Sequence, residues 1–66
     1  MDKAAFGKSL RRYRMERGIS VAWMAEKSGL TPPTIRSVEE GLHEPQLKTL
    51  IKICRVMGLN VRKVWK

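Results

Sequence analysis

The sequence predicts an all-α domain built from five short helices. Apolar residues recur at the three- and four-residue spacing of an amphipathic helix, and no stretch alternates apolar and polar residues long enough to form a strand. The 66 residues suffice for one domain, which we expect to span residues 1–66. The first four helical patterns each end at a glycine, as C-terminal caps do, and these glycines are Gly18, Gly29, Gly41 and Gly58.

The first two helices are predicted from an apolar face and from a cap. We expect helix one at residues 3–17, because Phe6, Leu10 and Tyr13 occupy positions i, i+4 and i+7 of one helical face. Helix two should begin after Ser20, whose hydroxyl makes a good N-cap, and should end before the next glycine.

Two adjacent prolines mark the start of helix three, predicted at residues 32–40. Thr31 is a suitable N-cap, and Pro32 falls at the first helical position, where a missing N–H costs nothing. Pro33 follows within the same turn, so the N–H of Thr34 becomes the expected partner of the cap. The prolines should therefore give this helix a rigid, apolar N-terminus with few backbone donors.

The remaining residues are predicted to form two more helices. Helix four should run from near Pro45 to Gly58, and a short helix five should cover residues 61–66 with Asn60 as its cap. The side chains of helix four that we expect to be buried are Leu47, Leu50, Ile51 and Cys54.

Composition favours a polyanionic partner. Fourteen Lys and Arg against six Asp and Glu give a net charge of +8 and a pI near 10.4, which suits nucleic acid, although a solvated basic surface is the alternative. The longest apolar run, residues 21–25, is far shorter than the ~20 residues of a membrane span, and the N-terminus lacks an apolar signal core. The single cysteine, Cys54, fits a reducing compartment. We therefore expect a cytoplasmic protein without membrane contact.

Four strings of the sequence, taken together, resemble one known family. They are FGKSLRRYRMERGIS, MAEKSGLT, TIRSVEEG and EPQLKTLIKICRVMGLNVRKVW. Over residues 6–65 the chain is similar to the Cro and lambda-repressor-like (XRE-type) regulators of bacteria and phages. The resemblance implies a five-helix lambda-repressor-like DNA-binding domain with a helix-turn-helix core at about residues 20–40, from a bacterial, phage or mobile-element source.

The resemblance also implies a function and a set of base-contacting residues. The protein would be a sequence-specific regulator of transcription, most simply a repressor, that places helix 32–40 in the major groove of double-stranded DNA. Arg36 is the favoured base contact, because a guanidinium can donate twice to guanine; a phosphate contact or a solvated side chain is its alternative. With Ile35 and Val38 directed at the core, the outward candidates are Pro32, Pro33, Thr34, Arg36 and Ser37.

Residues that flank this helix are the candidates for contacts with DNA phosphates. Such contacts would position the domain without selecting a sequence. One departure from the family is Val21, where glutamine is common, so the details of docking at helix two are open. The candidate phosphate contacts are Ser20, Lys27, Thr31, His43 and Lys48.

Two structural roles follow from the same resemblance. Arg14 and Glu39 occupy the positions of a buried ion pair that orients helix three against helix one. A C-terminal apolar group could form a two-fold dimer interface, suited to a palindromic operator, or could belong to a monomer that lacks its neighbouring region. The residues of this candidate interface are Ile53, Val56, Val61, Val64 and Trp65.

Other functions find less support in the sequence. An antitoxin that neutralises a protein partner and binds DNA secondarily is the main alternative, supported by the expected exposure of Trp23 and Leu42. A basic domain that coats RNA is disfavoured, because stacking aromatics are missing from helix three. No catalytic constellation or zinc-ligand spacing is present, so we expect no enzyme activity, metal or cofactor.

Overall fold

The computed structural model describes the backbone of residues 3–42 and 44–64 and the side chains of residues 4–42 and 44–62. The described residues are helical, with turns between the helices and no strand. The elements, in chain order, are α1 (Lys3–Glu16), α2 (Val21–Ser28), α3 (Pro32–Glu40), α4 (Leu47–Met57) and a single helical turn, α5 (Val61–Val64).

Within the described residues the predicted fifth helix amounts to this turn, so this part of the all-α fold has four helices rather than five. Asn60 Oδ1 accepts a hydrogen bond from the N–H of Arg62 at 2.9 Å, as expected of a cap. The four residues of α5 close only one turn, too few for the cooperative gain of a longer helix. Residues 65 and 66 of the predicted helix lie outside the described part of the chain.

Helix α4 also differs from its prediction. It begins at Leu47 rather than near Pro45, with Gln46 as its N-cap. The expectation that Leu47 is buried is wrong, because its side chain, in the first turn of the helix, is exposed to solvent. Leu50 and Cys54 are buried as predicted, whereas Ile51 is half-buried.

The hydrophobic core is built around α3. Helix α1 packs against α3, and α2 packs against both α3 and α4. Burial raises the pKa of the Cys54 thiol, so this side chain behaves as a small apolar group. The buried apolar side chains are Phe6, Leu10, Met24, Ala25, Ile35, Val38, Leu50, Ile53 and Cys54.

Two glycines fix the ends of α2 and α3 as the sequence predicts. Gly29 and Gly41 have φ values of 72° and 66°, a left-handed conformation that L side chains adopt with strain. After α2, the N–H of Leu30 donates to the carbonyl of Ala25 at 2.8 Å, which closes a Schellman-type cap. The chain therefore leaves α2 abruptly, and α3 starts after a connection of three residues, 29–31.

Within the described residues, no helix combines the length and the apolar character that crossing a bilayer requires.

Candidate nucleic-acid interface

The N-terminal end of α3, residues 32–37, is capped as its sequence predicts. Thr31 Oγ1 accepts from the N–H of Thr34 at 3.4 Å, and the two threonine hydroxyls lie 2.8 Å apart. The N–H of Ile35 already donates to the carbonyl of Thr31 at 3.1 Å, and Pro32 and Pro33 have no N–H to offer. Residues 32–35 of α3 therefore have no free backbone N–H, so a ligand of this turn must find its donors in side chains.

The side chains of α3 range from buried in the core to exposed at the surface. Ile35 and Val38 are buried, whereas Arg36 and Pro33 are exposed. Arg36 forms no ion pair among the described residues, so its donors remain available to a ligand. The five candidate base contacts lie on the outer side of α3, and those that are half-buried rather than exposed are Pro32, Thr34 and Ser37.

A cleft of about 270 Å³ separates the N-terminal end of α3 from the start of α4. Thr49 of α4 lines the same surface depression as Thr34 and Ser37 of α3, a neighbourhood that sequence analysis did not predict. Lys48, next to Thr49, is exposed. The full lining is Pro33, Thr34, Ser37, Val38, Pro45 and Thr49.

The candidate phosphate contacts near α3 differ in their neighbours. Ser20 Oγ accepts from the N–H of Trp23 at 3.0 Å, which leaves its hydroxyl proton available to a phosphate. The ammonium of Lys27 lies 5.7 Å from the centre of the Trp23 ring, so α2 presents an exposed indole beside a cation. Thr31 is exposed as the N-cap of α3, and His43 lies outside the described residues.

A buried ion pair holds the C-terminal end of α3, residues 38–41. Arg14 Nε donates to Glu39 Oε2 at 2.7 Å and Arg14 Nη2 donates to Glu39 Oε1 at 3.0 Å, which is the bidentate geometry of an arginine–carboxylate pair. The side chains are 13% and 5% exposed. Arg14 Nη1 also donates to the carbonyl of Ile19 at 3.0 Å, so one guanidinium joins α1, the end of α3 and the loop before α2.

The hydrogen bond from Glu39 raises the pKa of Arg14, against the opposing effect of burial. The guanidinium of Arg14 therefore stays charged at ordinary pH. The two residues predicted to form an ion pair are thus in contact, with geometry suited to holding α3 in one orientation.

The candidate dimer interface needs correction. Ile53 is 0% exposed and belongs to the core, because its side of α4 faces the other helices, so it is not available to a second chain. Val56 and Val61 are half-buried and pack against the same core. The side chains of Val64 and Trp65 lie outside the described residues. Leu59, which the sequence interpretation missed, is exposed between α4 and α5.

The chain is similar in sequence to known transcriptional regulators. A family model described as helix-turn-helix matches residues 10–64. PuuR of Escherichia coli, an HTH-type transcriptional regulator, is 38% identical over 55 residues, which are 83% of this chain and 30% of PuuR. SinR of Bacillus subtilis, also an HTH-type transcriptional regulator, is 32% identical over 56 residues, which are 83% of this chain and 50% of SinR.

Solved structures are similar to this chain in fold and, to a lesser degree, in sequence. The restriction-modification controller protein C.AhdI from Aeromonas hydrophila matches with a TM-score of 0.82 and 27% identity, over 96% of each chain. SinR in complex with DNA matches with a TM-score of 0.77 and 29% identity, over 92% of this chain and 98% of that one. The chain spans half or less of the length of PuuR and SinR. Because the family model covers residues 10–64, including all of α2 and α3, the chain belongs to the XRE-type helix-turn-helix family.

Proposed function

We infer that this chain is a sequence-specific, double-stranded DNA-binding regulator of transcription, acting as a repressor, with residues 1–66 forming one DNA-binding domain. The observation that carries this inference is the division of α3 into a buried, ion-paired C-terminal end and an exposed N-terminal end that bears Arg36. The net charge of +8 favours a polyanionic partner. SinR, similar in fold, has been solved in complex with DNA.

In this proposal α3 enters the major groove with its N-terminal end towards the bases. Arg36 donates twice to a guanine, at O6 and N7, a contact worth about 1–3 kcal/mol of discrimination. The Pro32 and Pro33 rings suit the methyl group of thymine, and the hydroxyls of Thr34 and Ser37 suit base edges or phosphates. The lack of backbone donors at this end supports recognition through side chains.

Contacts with phosphates set the position of the domain without selecting a sequence. Ser20 and Lys27 on α2, Thr31 at the start of α3, and Lys48 beside the cleft are the candidates within the described residues. His43 stays a candidate on sequence grounds alone. These contacts release counterions, so affinity should fall steeply as salt rises.

A two-fold homodimer on a palindromic operator completes the proposal. Half-sites about 34 Å apart present equivalent grooves on one side of the duplex. The exposed Leu59 and the half-buried Val56 and Val61 support an interface near the junction of α4 and α5. The proposal includes a cytoplasmic location and no catalytic role, in line with relatives named as transcriptional regulators.

Selection of binding sites from a random duplex library, at near-physiological salt, tests this function. Wild type, Arg36→Ala and the control Arg12→Ala are compared, because both variants remove one exposed positive charge but only Arg36 lies on α3. We expect a palindromic motif from wild type and Arg12→Ala, and loss of one base preference in Arg36→Ala. Binding without any enriched motif, fading with salt in all three, would overturn the proposal.

A protein-binding role, as an antitoxin that neutralises a partner, is the second candidate. It is favoured by the exposure of Trp23 and Leu42, which are 42% and 60% exposed. SinR has also been solved in complex with the SinI protein. The two functions separate in Trp23→Ala, which should leave the selected DNA motif intact while abolishing capture of a protein partner.

A further inference from the structure

Gly7 of helix α1 lies directly against the last turn of α3. Gly7 is buried, and a β-carbon built on it would collide with the carbonyl oxygen of Val38 and lie 2.8 Å from that of Glu39. Real β-carbons essentially never lie within 3.0 Å of such an atom. Glycine is less favourable than alanine in the middle of a helix, so its presence here matches a close approach that alanine does not allow.

The atoms facing Gly7 cannot move aside independently of α3. They are main-chain carbonyls, and that of Val38 accepts from the N–H of Gly41 at 3.1 Å in the C-terminal cap. A side chain could rotate away from an added methyl group, but a capped backbone turn can only shift with its helix. Any residue larger than glycine at position 7 must therefore displace the end of α3 or α1.

Ala4 and Arg14 of α1 also contact this end. Ala4 lies next to Gly41, since its Cα would be 3.4 Å from a β-carbon built there, and Arg14 holds Glu39 in the bidentate ion pair. Positions 4, 7 and 14 fall on one face of a helix with 3.6 residues per turn. One face of α1 thus packs against the C-terminal end of α3, and Gly7 lies between Ala4 and Arg14 on that face.

We propose that Gly7 is a positioning residue for DNA recognition: by lacking a side chain, it sets how deeply the end of α3 rests on α1 and hence the direction in which α3 presents Arg36. This inference rests on the DNA-binding function proposed above. The nine residues of α3 span only about 13 Å, so a displacement at its C-terminal end is transmitted to its N-terminal end nearly undiminished. A bidentate contact with guanine does not tolerate such a displacement.

The test compares Gly7→Ala with Gly58→Ala. Gly58, the C-cap of α4, has a φ of 73° and no atom within 4 Å of an added β-carbon, so alanine there costs stability through backbone strain without touching α3. Both variants are measured well below their melting midpoints, on the selected operator and on a scrambled duplex of the same length. Because Gly58 adjoins the proposed dimer interface, sedimentation must first show that both variants have the oligomeric state of wild type. The ratio of the two affinities reports specificity, which a purely structural role of Gly7 would leave unchanged in the folded protein.

We expect this ratio to fall about tenfold in Gly7→Ala, as for loss of a bidentate base contact, and to stay near wild type in Gly58→Ala. Residual dipolar couplings of the free proteins should show a changed angle between α1 and α3 in Gly7→Ala alone. Wild-type specificity together with a wild-type angle would overturn the proposal. Sucrose, which favours compact states, is added if Gly7→Ala does not fold without it. If Gly7→Ala still fails to fold under conditions where Gly58→Ala folds, the proposal is also overturned, because Gly7 would then serve stability alone.

The affinity ratio and the dipolar couplings also separate this inference from the function on which it rests. If wild type selects no DNA sequence, the proposed function fails. The dipolar couplings then still decide whether Gly7 orients α3.

Discussion

The two ends of α3 differ in how the rest of the molecule holds them. The C-terminal end contacts α1 through a bidentate ion pair at Glu39 and through carbonyls that lie against Gly7. Apart from the buried Ile35, the N-terminal end is held by local contacts: the N–H groups of Thr34 and Ile35 donate to Thr31 at 3.4 and 3.1 Å, and the proline rings restrict the backbone. A helix fixed at one end can present the other end to a partner in one defined direction.

This difference bears on why an ion pair is buried here at all. Removing two charges from water is expensive, and an apolar pair of similar size is often as stable. Arg14, however, also donates to the carbonyl of Ile19, so it relates α3 to the loop that leads into α2. We infer that orienting the helix-turn-helix is the benefit that offsets the cost of burying the two charges. The substitution of Glu39, which has the largest predicted effect, tests this inference.

Glu39→Ala should destabilise the fold by about 3–5 kcal/mol, because it leaves the Arg14 guanidinium buried and without its carboxylate. For a domain of this size the melting temperature falls by roughly 4–8 °C per kcal/mol. Urea denaturation followed by far-UV circular dichroism measures the change. Glu40→Ala is the matched control, since it removes an exposed carboxylate from the adjacent position of the same helix.

Equal denaturation midpoints for the two variants would show that the ion pair does not hold the C-terminal end. A loss of DNA affinity in Glu39→Ala with unchanged melting would likewise contradict a structural role, because it would place Glu39 in recognition itself.

The ends of α2 and α3 could be predicted because their signals are local. Ser20 and Thr31 accept from the N–H three residues ahead, and Gly29 supplies a left-handed backbone, all within one turn of the residue concerned. The prolines could be placed for the same reason. The outer side of α3 then followed from the burial of Ile35.

The features that were missed depend on contacts between distant parts of the chain. Apolar residues cover much of the circumference of α4, so its periodicity did not show that Ile53 faces the core while Leu47 faces solvent. Gly7 resembles any glycine within a helix until α3 is seen against it. The neighbourhood of Thr49 and Thr34 likewise arises only when α4 folds back beside α3.

At the N-terminal end, Thr31→Ala should cost only about 0.5–1 kcal/mol, at the low end for an N-cap, because the cap bond is long and the prolines limit fraying. Hydrogen exchange resolves where the loss occurs. We expect faster exchange of the amides of Thr34 and Ile35, with the amide of Glu39 unchanged. Thr31→Ser, which keeps the accepting oxygen, is the control. Equal acceleration along the whole of α3 would mean that its two ends are not held independently.

The smallest effect concerns the surface next to the N-terminal end. Lys48 precedes Thr49, whose side chain lines the cleft beside α3, whereas Lys52 lies one turn further along α4, and both lysines are exposed. If Lys48 contacts a phosphate, Lys48→Ala should reduce the slope of log affinity against log salt by about 0.9, with little change in stability or in the preferred sequence. Lys52→Ala removes the same charge and should leave the slope nearer to that of wild type. If the slope falls equally in both variants, the two lysines act only through a diffuse positive field. Lys48 would then make no direct contact with a phosphate.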